Sequence, residues 1–184
     1  MFAEADAVLL RIVSPDTLAI AFHEASRRGA TAMQPLGVCA LCRNRGKFHP
    51  PPGGSPELPY IVMDSRGRRF PATSAVDLVL PEATPVLSPV NGVVTDVKRY
   101  RLYRRYPDVR VAIVPDGRAD RTVVLIHLAG VKLRVGDRVE ASVSEIGRVR
   151  HFPFESHVER YVKGHHPHVH IEVKHGSAAR GIED

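Results

Sequence analysis

The sequence predicts a mainly β protein, a compact β-sandwich or barrel-sandwich hybrid with an N-terminal helical annex. Three observations point there. Fifteen prolines and fourteen glycines accompany many valines in 184 residues, a composition that favours strands and tight turns over a helical bundle. Short apolar runs from Tyr60 onward are separated by Asn91-Gly92, Asp116-Gly117 and Gly136-Asp137, the spacing of a sandwich or barrel. Near the C-terminus "HVHIEVK" alternates, with His168, His170 and Glu172 on one face and Val169, Ile171 and Val173 on the other.

The elements follow in chain order. In "SPDTLAIAFHEASRRGA", Ser14 reads as an N-cap, Pro15 as the first helical residue and Asp16 as a complement to the dipole. Leu18, Phe22 and Ala25 share a helical face, Arg27 and Arg28 fill the last turn, and Gly29 stops it. His23 on this helix reads as a surface or capping histidine. Cys39 and Cys42 form a C-x-x-C pair with only His49 nearby, too few ligands for structural zinc, so two reduced cysteines are expected. "HPPPGGSPELP" then reads as a strap over the surface. Residues 1–59 thus form a helix plus strap, 60–176 a β-rich domain and 177–184 a flexible tail. Within that domain "YIVMDSRGRRFPA" reads as a strand, a turn at Gly67 and a return strand. "HFPFESHVERYVKGHH" reads as a loop or short helix beside the histidines.

A net charge of +6 would suit an anionic partner, yet the arginines are scattered and no aromatic-basic motif frames them. They read as a solvated face rather than a nucleic-acid surface. No apolar run is long enough to span a membrane. The first residues lack a basic leader, so a cytoplasmic location is expected, with export by a leader outside this chain as the alternative.

Five of the ten histidines fall between Lys163 and His175. Two histidines two residues apart on a strand point the same way, so one imidazole can hold a metal while the other faces water or substrate. "TPVLSPVNGVVTDV", "VVLIHLAGVKLRVGDRVEASVSEIGRV" and "GHHPHVHIEV", in this order, resemble the lysostaphin-type zinc endopeptidases, which cleave peptide bridges in bacterial cell walls. The resemblance spans roughly residues 68–175.

Carried over residue by residue, the resemblance implies zinc as cofactor, Asp77 and His170 as metal ligands, and His127 and His168 as the catalytic, non-ligand histidines. A cell-wall peptide is the implied partner. One position departs: Thr73 stands where the family places its first zinc-binding histidine, and Ala75 replaces a glycine. A hydroxyl is a far poorer zinc ligand than imidazole, so a weakened site with little or no hydrolysis is expected. His49, His157, His165 and His166 are the candidates for a replacement ligand. The alternative is an inactive binding or regulatory module on the same fold, still able to hold metal. A lipoyl-type carrier lacks its lysine tip here, and a histidine phosphocarrier of the sugar-phosphotransferase kind does not include the His-x-His strand.

Overall fold

Period-two alternation of side-chain direction organises the strands. The structure, a computed structural model, describes residues 1–26, 28–42 and 58–176. The first part contributes β1 (Ala3–Ala5), β2 (Val8–Leu10), β3 (Ala19–His23), β4 (Gln34–Pro35) and β5 (Cys39–Leu41). Then come β6 (Tyr60–Val62), β7 (Ala75–Val79), β8 (Pro85–Leu87), β9 (Gly92–Leu102) and β10 (Tyr106–Pro115). β11 (Arg121–Ala129), β12 (Arg138–Val139), β13 (Glu145–Val149), a 3-10 helix (His157–Arg160) and β14 (His168–His175) complete it.

The main sheet runs β12-β9-β10-β11-β14-β7-β3-β6-β5, with β13 pairing both β11 and β8. A small sheet of order β2-β1-β4 stands apart from it. Ile20 and Phe22, Val76 and Leu78, Val123 and Leu125, and Val169, Ile171 and Val173 enter one buried cluster. Phe2, Val8 and Leu10 of the small sheet join the same cluster. Each such side chain contributes roughly 1.5–3 kcal/mol by leaving water. The alternate residues of the central strands project from the other face, and there the polar groups gather.

The helix expected over residues 14–29 is not formed; the 3-10 segment is the helical element among the described residues. Ser14, Pro15 and Asp16 build a turn instead. The Thr17 amide and hydroxyl both donate to the Ser14 carbonyl, and the Asp16 amide donates to the Ser14 hydroxyl. The same short polar residues serve helix caps and turns, which is why the signal misleads. Beyond the turn, Ala19–His23 becomes β3, antiparallel to β7 and parallel to β6, and buried throughout. Burial on both faces overrides the helical pattern.

Two further expectations are corrected. Cys39 and Cys42 are joined by a disulfide rather than reduced. No return strand follows Gly67; residues 65–68 form a loop fastened to Glu24, whose carboxylate accepts from Ser65 Oγ and the Arg66 and Arg68 amides. The proline-rich strap from 43 to 57, His49 and the 177–184 tail lie outside the described residues.

Gly92 opens β9 where no side chain fits. A Cβ there would stand 2.3 Å from the Val114 carbonyl oxygen and 2.9 Å from Ile113 Cγ2. Since the obstacle is backbone in a paired strand, Gly92→Ala is expected to destabilise the fold by about 1–3 kcal/mol, measured as a lower urea midpoint.

A candidate metal centre

The centre lies where β3, β7 and β14 run side by side. His170 stands opposite Asp77 across one ladder, while Ala21 and His23 stand opposite Asp77 and Ala75 across the next. Opposed residues in antiparallel pairs share a face, so His23, Asp77 and His170 converge. His23 Nε2 is 3.1 Å and His170 Nδ1 2.8 Å from Asp77 Oδ1. All three residues are buried, and their donor atoms lie within 4.8 Å of one another. Tetrahedral zinc with bonds of ~2.0–2.1 Å places its ligands ~3.3 Å apart. The donor set fits that ion.

The outward nitrogens are also held. Glu172 Oε1 is 3.1 Å from His170 Nε2, and the Glu24 carbonyl is 2.8 Å from His23 Nδ1. A carboxylate or carbonyl behind each imidazole fixes the tautomer that offers its other nitrogen to a metal. Arg66 Nη2 also stands 2.9 Å from His23 Nδ1. That nitrogen cannot donate to Glu24 and accept from Arg66 at once. In the metal-binding tautomer it donates to Glu24; in the other, Nε2 donates to Asp77 and Arg66 binds Nδ1.

His127 reaches the same face through an irregularity. Between the pairs Val109–Leu128 and Val111–Leu125, β11 carries one residue more than β10, and His127 has φ 71°. A bulge of this kind re-aims a side chain. Leu125 and Leu128 both enter the core, so the two residues between them avoid it. The His127 ring lies 5.0 Å from that of His168 and 6.0 Å from that of His170, centroid to centroid. Its Nδ1 donates to Asp108 Oδ2 at 2.8 Å, and Tyr100 donates its hydroxyl to the same oxygen at 2.5 Å. The Leu128 and Val109 amides hold the other Asp108 oxygen, Oδ1. This leaves His127 Nε2 as its chemically available nitrogen. Phe152 packs edge-on against the ring at 4.9 Å and starts an aromatic row through Phe154 to Tyr103.

Burial and charge set the protonation states. Burial raises the Asp77 pKa, but His23, His168 and His170 outweigh it and hold it well below the usual carboxylate range. Burial opposes charge on His170, yet its bonds to Asp77 and Glu172 prevail and raise it to about 9. Glu172, against its own burial, is drawn down to about 2 by His170 and Lys174. His168 is pushed down to about 4, chiefly by burial, and its Nδ1 is buried without a hydrogen-bond partner among the described residues. It is therefore neutral at pH 7, as a proton acceptor must be.

These shifts predict acid sensitivity of the metal-free protein. Glu172 binds protons more weakly folded than unfolded, so its contribution is complete above about 4.5 and is lost as pH falls toward about 2. Urea midpoints measured from pH 6 to pH 3 are expected to fall, and Glu172→Gln should flatten the lower part of that slope.

Asp77, His127, His168 and His170, the residues singled out in the sequence, thus stand together, and His23, expected as a surface or capping histidine, is instead buried and joins them. Of the suggested replacements, His157 lies on the 3-10 helix, and exposed His165 pairs with Glu159 at 3.2 Å. Neither they nor His166 belong to the donor group. Thr73 uses its carbonyl to accept from the Met33 amide. The sequence did hold a trace of His23. "AIAFH" alternates small and large residues, with Ile20 and Phe22 facing the core and Ala19, Ala21 and His23 the other way. Asp108, a strand aspartate with no motif around it, carried no signal.

No family model and no curated protein matches the sequence. Solved structures similar to the chain include lysostaphin, at 19% identity and TM-score 0.42 over 58% of this chain and 38% of that one. Another is a mutant catalytic domain of the prophage-encoded M23 protein EnpA from Enterococcus faecalis, at 17% identity and TM-score 0.41, covering 75% of this chain and 83% of that one. A third is LytU, at 20% identity and TM-score 0.43, covering 85% and 81%. The chain spans well under half of the lysostaphin structure. What the centre can do is read from its own side chains.

Proposed function

We propose that the protein is a zinc-dependent peptide hydrolase whose third ligand is His23, supplied by β3 in place of the residue missing at Thr73. One observation carries the reading: three convergent donors, His23, Asp77 and His170, of which both imidazoles are braced from behind, beside two further histidines. The weakness expected from Thr73 assumed only two ligands, Asp77 and His170. A third ligand, the imidazole of His23, removes that assumption.

Zinc, when bound, acidifies a water and polarises a carbonyl oxygen. The chain's own residues do the rest. His168, neutral and buried, accepts a proton. His127, fixed by Asp108 through Nδ1, presents Nε2 to donate or accept a proton. The Phe152 ring keeps one side of His127 apolar. A short peptide, in line with the cell-wall peptides that the sequence resemblance implies, is the substrate class. No helix among the described residues is long and apolar enough to cross a membrane.

A second reading has its own support. The chain His23–Asp77–His170–Glu172 closes by hydrogen bonds alone, as a catalytically silent binding module would require. Zinc titration with elemental analysis decides between them. One equivalent retained through dialysis and cleavage of short peptides that is abolished by chelator are expected; no retained zinc refutes the hydrolase.

A further inference from the structure

Beside the metal donors a cleft of about 390 Å³ opens between the 65–68 loop and the 3-10 helix, lined by Asp64, Ser65, Arg66, His157, Arg160 and Tyr161. From it we propose that the cleft is a subsite for a carboxylate of the bound peptide, held by Arg66 and Arg160. The inference rests on the metal-centre reading above and names the substrate feature which that centre would select.

The first support is placement. Glu24 ties down the loop through Ser65 and the Arg66 and Arg68 amides, so the root of the Arg66 side chain is fixed. Its guanidinium touches His23, a metal donor, and lines the cleft as well. An anion bound there sits next to the reacting bond.

The second is a change of partner. Arg66 bonds His23 Nδ1 only while that nitrogen lacks a proton. Once Nε2 is given to a metal, Nδ1 carries the proton and donates to the Glu24 carbonyl. Arg66 then loses its acceptor and becomes a planar fork facing the cleft, the geometry suited to a carboxylate.

The third is the rest of the lining. Arg160, exposed at the end of the 3-10 helix, has no ion-pair partner among the described residues. The one lining carboxylate, Asp64, is hydrogen-bonded with Tyr161, and its amide donates to the Tyr161 hydroxyl at 2.9 Å. His157, packed against Tyr161 at 5.4 Å, keeps a buried Nδ1 without a partner. Two cations against one engaged acid make a site for an oxyanion. Its volume admits a terminal residue rather than a folded chain.

The test uses the full chain loaded with zinc and three probes: acetyl-Ala-Ala, its C-terminal amide, and acetyl-Ala-Glu amide. Zinc uptake is measured first by elemental analysis, and dissociation constants follow by calorimetry. The free acid is expected to bind at least about tenfold tighter than the amide. Arg160→Gln should bring that ratio toward one, and Arg66→Lys, which keeps charge but not the fork, should reduce it. If acetyl-Ala-Glu amide matches the free acid, the subsite takes a side-chain carboxylate as well as a terminal one; if it matches the amide, it takes the chain terminus alone. Equal binding of all three probes by the zinc-loaded protein overturns the subsite alone. Failure to take up zinc overturns the metal centre and the subsite with it.

Discussion

His23→Ala is expected to lower zinc affinity by more than about 100-fold, the upper range for losing a mere supporting hydrogen bond around a metal ligand. Three donors become two, and two cannot fix the geometry of an ion that prefers four partners. The substitution also leaves Asp77 without one of its two close nitrogen partners, at 3.1 Å, in a buried setting. Some loss of thermal stability should therefore accompany the loss of metal. Circular dichroism separates the two, because β3 keeps its ladders to β6 and β7 whatever side chain stands at position 23. Thr73→Ala is the contrasting control and should leave zinc content unchanged. Full zinc retention in His23→Ala would remove the ligand assignment.

The second large effect concerns turnover. His127→Ala is expected to reduce kcat on short peptides by about 10²–10⁴-fold, the range of a general acid–base group, with zinc content intact. The separation is the informative part, since His127 is not in the donor group. Asp108→Asn tests how His127 is held. An amide in place of the carboxylate still fills the space, but it can present its NH₂ to Nδ1 and so favour the wrong tautomer. A fall in kcat with little change in KM, and a displaced limb of the pH–rate profile, are expected of a positioning residue. Tyr100→Phe, which removes one donor from the same carboxylate, should act in the same direction and more weakly. If His127→Ala loses zinc in proportion to activity, the catalytic role fails.

The sequence made some of this visible and hid the rest for physical reasons. His168 and His170 could be read because β14 alternates apolar and polar residues, so period two showed at once. Asp77 was found through the family resemblance, not from its own surroundings. His23 was hidden because the other residues on its face of β3 are Ala19 and Ala21, so no polar alternation shows, and because Ser14, Pro15 and Asp16 fit a helix start as well as a turn. His127 was named through the resemblance alone, because it lies on an apolar strand whose regular alternation would have turned it into the core, and the bulge brings it out. Arg66 and Arg160 meet through folding alone, ninety-four positions apart, with no motif to join them.

The order of the strands has a consequence for how the protein is made. β3 is translated before β7 and β14, yet the finished centre needs all three side by side. While the chain is being synthesised, residue 23 is ready long before residue 170 has left the ribosome. No metal can be captured by the complete donor set until the strands between have been laid down. Contacts this distant along the chain are slow to form, and the nascent β3 has only residues that precede it, such as Phe2, to cover Ile20 and Phe22. Zinc would then act as a clasp fastened last, tying residue 23 to residue 170 and holding shut a loop of nearly 150 residues that opens only when the sheet parts.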